Sequence, residues 1–413
     1  MVHEVVADHA EMASFLWELR EMAVRSHHYT LADLAELEER VEAHLDGLRI
    51  AGEPGWELTL AALSTKDPGA FFAAAVAAVE ARDYPGFAAV LDATEEADEP
   101  AAGVAGALAW ASPADAFAIV APMLSGAQPP ALRRLALAAC VAHRRDPGQL
   151  LGYAICDGDA AVRALAFRAA GALGRADLAG ELRGAWGSDD EAERFWSAWA
   201  GALLGARGAD EALWSVAGRS GAFAEEAADC AARVSPPGEA RRRIEALMRS
   251  PGLGRVCLVA AGALGDPALL PWVLDRLTVA PLARLAGEAL SRITGAPIEG
   301  ALRGAPAPGF DAGPSDDPRD ASVKMDPDTQ LPWPHGANAR ALWAAHRGRF
   351  ASGVRHVEGR PLDEGALDRV LRVGGQRRRA GAAFERAARA PGRPLFDVAA
   401  RVERQRAALG ASP

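Results

Sequence analysis

Along the first fifty residues apolar side chains recur at helical spacing. Met12, Phe15, Leu16, Leu19 and Ala23 mark the inner face of one helix, and Leu31, Leu34, Val41, Leu45 and Leu48 that of a second. Thr30, with Asp33 three residues on, predicts a capping box at the start of the second helix. The turn Ser26-His27-His28-Tyr29 is short enough for an antiparallel hairpin, and Gly52-Glu53-Pro54-Gly55 closes it. Residues 1–52 therefore read as an N-terminal helical cap.

From 56 to 295 the helical pattern repeats. One apolar position runs through Leu108, Val141, Leu173, Leu204, Val234, Leu264 and Ile293, in steps of 33, 32, 31, 30, 30 and 29 residues. Turns such as Asp67-Pro68, Asp146-Pro147-Gly148, Pro236-Pro237-Gly238 and Gly265-Asp266-Pro267 break the periodic segments. A hairpin of this size cannot bury its apolar face alone, so the period predicts an α-solenoid of stacked helical hairpins. A column of arginines, Arg133, Arg163, Arg194, Arg255 and Arg284, sits early in the second helix of successive units, with Glu225 in the slot between Arg194 and Arg255. Asp159 and Asp190 precede Arg163 and Arg194 by four residues, close enough to pair.

After Ile293-Thr294-Gly295 the pattern changes. Residues 296–334 hold Pro297, Pro306, Pro308, Pro314, Pro318, Pro327, Pro332 and Pro334 among Gly and Asp, and read as a linker: either a tether or a strap laid along the repeats. Residues 335–413 read as a small C-terminal helical module. Its helices are expected near 337–347, from Asp363 to Gly374, from Gln376 to Ala390, and from about Phe396.

Composition supports helices throughout. Hydrophobic residues are 50% of the chain and aromatics only 6%, so the apolar content is chiefly Ala, Leu and Val. The net charge of −10 is unevenly spread: residues 1–50 carry 11 acids and 4 bases, residues 331–413 carry 7 acids and 16 bases. An acidic body argues against a general nucleic-acid binder. Lys66 and Lys324 are the only lysines, which we read as coding bias. Cys140, Cys156, Cys230 and Cys257 lie in Ala- and Leu-rich segments without CxxC spacing and are expected to be buried thiols of a reducing compartment. The stretch from Glu99 to Arg133 is apolar, but Pro113, Pro122, Pro129 and Pro130 cut it too short to cross a bilayer, and the N-terminus lacks a secretory pattern. Cytoplasmic residence is the expectation.

The segment Asp157–Gly174, DGDAAVRALAFRAAGALG, resembles the short HEAT-like repeats of phycobilin-lyase-type proteins, whose pattern is an Asp, then Val-Arg, then alanines ending in Ala-Leu-Gly. The resemblance implies an Asp/Arg ladder along the inner helices. Asp159 and Arg163 match it fully; Arg133, Arg255 and Arg284 match at the Arg only, and Glu225 departs from it. The order of repeats, Leu331-Pro332-Trp333-Pro334, then Gly375-Gln376-Arg377-Arg378-Arg379 and Pro394-Leu395-Phe396-Asp397 is similar to an uncharacterised proteobacterial HEAT-repeat family. Genes of that family neighbour type VI secretion spike and effector genes, which implies an adaptor or chaperone with a secreted effector or spike component as partner.

No GxxxxGK[ST], HExxH, GxSxG or zinc-type CxxC pattern is present, and no cofactor or metal is expected. His27-His28 with His3, His9 or His44 reads as turn histidines before it reads as a metal cluster, and Glu95-Glu96 with Asp98-Glu99 as a solvated face. Trp186, Trp196, Trp199, Trp214 and Trp272 suggest packing between hairpins, with a HEAT-like DNA glycosylase as the alternative; a charge of −12 over residues 51–330 tells against a DNA-reading surface. The candidate binding residues are the arginine column, Trp333 and Trp343, and Gln376 with Arg377, Arg378 and Arg379. The column serves either inter-repeat bridging or an acidic partner. The basic tail either docks on its own body or recognises a partner. The function expected is a non-enzymatic protein-binding scaffold.

Overall fold

The protein is all-α in a computed structural model that describes residues 3–95, 97–310, 313, 319 and 326–410. Glu96, Pro314, Pro318 and Lys324, noted above, lie outside the described residues. The chain forms two compact units: Met1–Ala206 with Val370–Pro413, and Arg207–Arg369. These bounds differ from the breaks expected at 52, 295 and 334. The reason is that the C-terminal residues bond to the ends of earlier helices.

In the first unit the helices His3–Ala23 and Leu31–Ala51 form the expected hairpin, with Thr30 and Asp33 making both bonds of the capping box. Pro68–Ala81 packs on His3–Ala23 and on Asp98–Trp110; the row continues through Pro130–Ala142 and Ala160–Leu173 to Glu191–Leu203. Each member is preceded by a shorter helix packed on it, Glu53–Ala62, Tyr84–Ala93, Pro113–Val120, Gln149–Ile155 and the 3-10 turn Glu181–Gly187 in order. Small residues allow the row: a Cβ on Gly171 would stand 2.8 Å from Ala200 Cα, so these two helices meet nearly backbone to backbone. At the first end Trp17 stacks on Phe72 at 4.8 Å, and Phe72 meets Trp110 edge to face. Side-chain caps by Asp83, Ser112, Asp159 and Asp190 start the helices next to them in the chain.

The second unit repeats the arrangement. Ala224–Val234 packs on Gly254–Leu264, and that on Ala280–Thr294, with Ala209–Ala217, Pro237–Leu247 and Leu270–Arg276 as the accompanying helices. Residues C-terminal to the last helix of the row cover it. Gly287 faces Ile298 and Pro334, Gly304 N–H donates to Trp333 O at 2.7 Å and His335 N–H to Leu302 O at 2.7 Å. Of the two readings of residues 296–334, the described ends take the strap, not the tether.

Leu108, Leu173, Leu204, Leu264 and Ile293 are buried, as the period requires, while Val141 and Val234 are half-buried. Three expectations are corrected. Phe15 is 58% exposed, because Leu16 and Trp17 take the inner face of its helix. Cys156 is exposed at a helix C-cap, while the other three cysteines are buried. The last helix begins at Val402, since Leu395 to Ala400 run along helix ends and their backbone is used there. A two-residue antiparallel pair, His356–Val357 with Arg360–Pro361, was not legible in the pattern.

Leu264 is fully buried, so Leu264→Ala is expected to cost about 2–5 kcal/mol in urea unfolding. Gly265 supplies a second check. It caps its helix at φ +73°, and a Cβ there would lie 2.0 Å from His356 O. Gly265→Ala should therefore destabilise by more than the roughly 1 kcal/mol of an ordinary left-handed alanine; a smaller loss would mean that residue 356 does not sit on this helix end.

Candidate functional site: the arginine column and the returning C-terminal segment

In the first unit Arg133 reaches Asp157 Oδ1 at 2.7 Å and the Gln128 carbonyl, and Arg163 reaches Glu193 and the carbonyls of Asp157 and Gly158. Arg194 donates to the carbonyls of Ser188 at 2.5 Å and Asp189 at 2.8 Å. Asp159 and Asp190 do not take the roles expected of them. Their carboxylates cap the helices by accepting from Val162 N–H and Glu193 N–H. Carboxylate partners come instead from 24 and 30 residues on for Arg133 and Arg163, while Arg194 holds only the carbonyls just before its own helix.

In the second unit Arg255 lies between Glu225, at 2.7 Å, and Asp328, at 2.5 Å. Burial alone would lower the Arg255 pKa, but Asp328 and Glu225 raise it above its ordinary value. Glu225 thus completes a rung where its departure from the pattern had suggested a break. Arg284 pairs with Asp326 and lies under Trp333, 4.8 Å from the ring centroid, and Phe310 at 5.6 Å. Trp333 thereby ties the strap to the helix Ala280–Thr294. Trp343 meets Phe350 at 5.6 Å, and Phe350 meets His356 at 5.1 Å. A neighbouring cluster places Asp229 between Arg233 and Arg292; burial would raise its carboxyl, but the two guanidinium groups hold it well below the usual range.

The C-terminal segment occupies helix ends in each unit. Within the second, Arg355 donates to the carbonyls of Arg233, Ala263 and Leu264, His356 N–H to Gly265 O at 2.8 Å, and Glu358 N–H to Arg292 O at 2.8 Å. Within the first, Leu395 N–H donates to Ala172 O at 2.9 Å, and Arg404 donates to the carbonyls of Ala109, Trp110 and Ala111. Arg144 holds Asp397 at 3.5 Å, and Arg401 pairs with Glu42 over the Trp110 ring. These carbonyls lie at the C-terminal ends of the helices, where intrahelical N–H partners are missing.

Gln376 and Arg379 are fully buried in this arrangement. Gln376 N–H donates to Tyr29 O and its side-chain amide to Val398 O; Arg377 N–H donates to Ser26 O. The Arg379 guanidinium donates to Leu371 O at 2.7 Å, to Gln376 Oε1 and to Gln405 Oε1 at 2.6 Å. Loss of solvent pushes its pKa down to about 10. The tail therefore docks on its own unit, and Arg379 is not displayed to a partner. Arg378 stands beside it, half-buried.

Trp186 and Trp272 lie beside Arg183 and Arg276 of their own segments, while three other tryptophans pack further afield. Trp196 meets Trp199 at 5.3 Å, Trp199 meets Phe384 of the tail at 5.9 Å, and Trp214 Nε1 donates to Ser235 Oγ at 2.9 Å. His9 and His44 approach at 3.1 Å, yet among the described residues no group of three or more His, Cys, Asp or Glu side chains is placed to hold a metal ion. Nor is any helix among them long and apolar enough to cross a membrane.

Sequence reasoning missed His143, Arg404 and Glu18. His143 donates Nε2–H to Leu108 O at 2.8 Å and offers Nδ1 to Arg404 at 3.2 Å. Burial, then the Arg404 and Arg145 charges, hold its pKa below the ordinary value. Glu18 is pushed up to about 7 by burial and by Asp67. A protein-family, curated-protein and solved-structure comparison of the whole chain gives no match of any of the three kinds.

Arg404→Ala, which frees three carbonyls at one helix end, is expected to cost about 1–3 kcal/mol. The two titrating groups act in opposite senses. Glu18, raised when folded, adds stability below its unfolded pKa that fades as pH rises toward about 7. His143, lowered when folded, adds stability above the unfolded value of about 6.5 that is lost as pH falls. Comparison with His143→Gln cancels the shared Glu18 effect: wild type should lose melting temperature faster than the variant between about pH 7 and pH 5.5. Parallel curves would show that the histidine is not held neutral.

Proposed function

We propose that the protein is a non-enzymatic scaffold, an adaptor or chaperone, that binds a protein partner. One observation carries this reading. Arg133, Arg163, Arg194, Arg255 and Arg284, the cations that a phosphate-binding surface would present, are engaged by carboxylates and carbonyls of the chain itself. Large apolar side chains meanwhile stand exposed on the N-terminal hairpin, namely Val5, Phe15, Met22 and Ile50. An arginine column taken up by the chain itself, together with apolar side chains exposed on the hairpin, suits a protein partner more than a nucleic acid. The gene neighbourhood of similar sequences directs the search first to a secreted effector or a spike component.

Purification of the tagged protein from its own host, followed by mass spectrometry, tests the reading. A stoichiometric protein partner is expected; recovery of nucleic acid without one would overturn it. The column has its own check. Arg163→Ala with Arg255→Ala should lower the melting temperature while the partner is still captured, since Arg163 holds one carboxylate and Arg255 two, and the buried Glu193 and Asp328 left unpaired would each cost about 1–3 kcal/mol.

A further inference from the structure

The helix His3–Ala23 buries Val6, Ala13, Leu16, Trp17 and Arg20. Its other side carries a seam. In heptad spacing Val5, Met12 and Leu19 share one seam position, and Asp8, Phe15 and Met22 share the other. Val5, Phe15 and Met22 are 51%, 58% and 59% exposed, while Met12 and Leu19 are half-buried and pack at the border against the chain's own core. Single exposed apolar residues need no explanation, but three on one side of one helix, bordered by Met12 and Leu19, make a stripe that a second helix can cover.

Charge narrows what that helix is. Glu4, Asp8 and Glu11 are exposed along the seam, and no Lys or Arg precedes Arg20, which is itself buried and paired with Glu38. A second copy of this seam would set these carboxylates against a hairpin that is itself acidic, with 11 acids and 4 bases over residues 1–50. Lys or Arg at the edge of an apolar stripe would meet them favourably.

We infer that the exposed seam of the first helix receives an amphipathic helix of a protein partner, apolar along one side and edged with Lys or Arg. The inference rests on the scaffold reading and specifies the contact chemistry of its partner. The backbone bonds of Gln376 and Arg377 fall at the Ser26–Tyr29 turn, beyond the end of this helix.

A labelled peptide of about three heptads, with Leu at the seam positions, Lys at the edges and Ala elsewhere, is the probe, read by fluorescence anisotropy. Wild type should bind it about tenfold more tightly than a peptide with Glu in place of Lys, and about tenfold more tightly than Phe15→Gln/Met22→Gln binds it. Both replaced side chains are exposed, and an unchanged melting temperature confirms the fold of the variant. Glu4→Gln/Asp8→Asn/Glu11→Gln should weaken binding, whereas Glu36→Gln/Glu39→Gln/Glu53→Gln, with the same change of charge on exposed sites elsewhere, should not. Equal binding by Phe15→Gln/Met22→Gln, or equal loss in the two triple variants, overturns the inference. So does a wild-type dimer that Phe15→Gln/Met22→Gln dissolves, since the occupant is then a second copy. Host purification separates this inference from the scaffold reading. A natural partner retained equally by wild type and Phe15→Gln/Met22→Gln sinks the seam alone; no protein partner for either sinks both.

Discussion

Every α-helix ends with carbonyls that its own last turn cannot satisfy, and a stack of short helices multiplies them. Left buried and unpaired, each would cost about 1–3 kcal/mol. Here the chain answers with its own C-terminal residues. In the second unit Arg355, His356, Glu358 and Gly359 serve three helix ends; in the first, Gly392, Leu395 and Arg404 serve three more. Glycine makes the approach possible. Gly174 and Gly265 end their helices in the left-handed conformation and lack the Cβ that would strike Gly392 O and His356 O.

Arginine suits this work for a geometrical reason. Its planar fork can reach two or three acceptors at once, as Arg355 does through Nε, Nη1 and Nη2 at Leu264, Arg233 and Ala263, and its guanidinium is less strongly hydrated than an ammonium. A lysine at residue 355 could not serve the carbonyls of Arg233, Ala263 and Leu264 in the same way. What reads in the sequence as coding bias is thus put to structural use. Arg379 is the extreme case, buried among neutral acceptors from Leu371, Gln376 and Gln405.

The helices were legible because their signals are local. Thr30 and Asp33 announce a cap within four residues, and the column from Leu108 to Ile293 records which positions face inward. The returning segment was not legible, because its acceptors are backbone carbonyls and these carry no residue identity. A trace was nonetheless present. Gly174, Gly205, Gly265 and Gly295 come one or two residues after the recurring apolar position, and all four have φ near +72° to +73°. The pairing of Arg255 with Asp328 was hidden for a similar reason: 73 residues separate them, and a Pro-rich stretch gives no register. Phe15 misled because helical spacing identifies apolar positions without saying which of two apolar stripes turns inward.

The bond from Val402 N–H to the Glu38 carboxylate spans 364 residues of chain, and Gln376 N–H reaches back to Tyr29 O. At the roughly 5–20 residues per second of protein synthesis, the first hairpin waits on the order of 20–70 seconds before its last contacts exist. Helices made hundreds of residues earlier are therefore among the last to be finished. Termination before residue 401 removes Arg401 and Arg404 from helices made some three hundred residues earlier, so the damage falls on chain already synthesised.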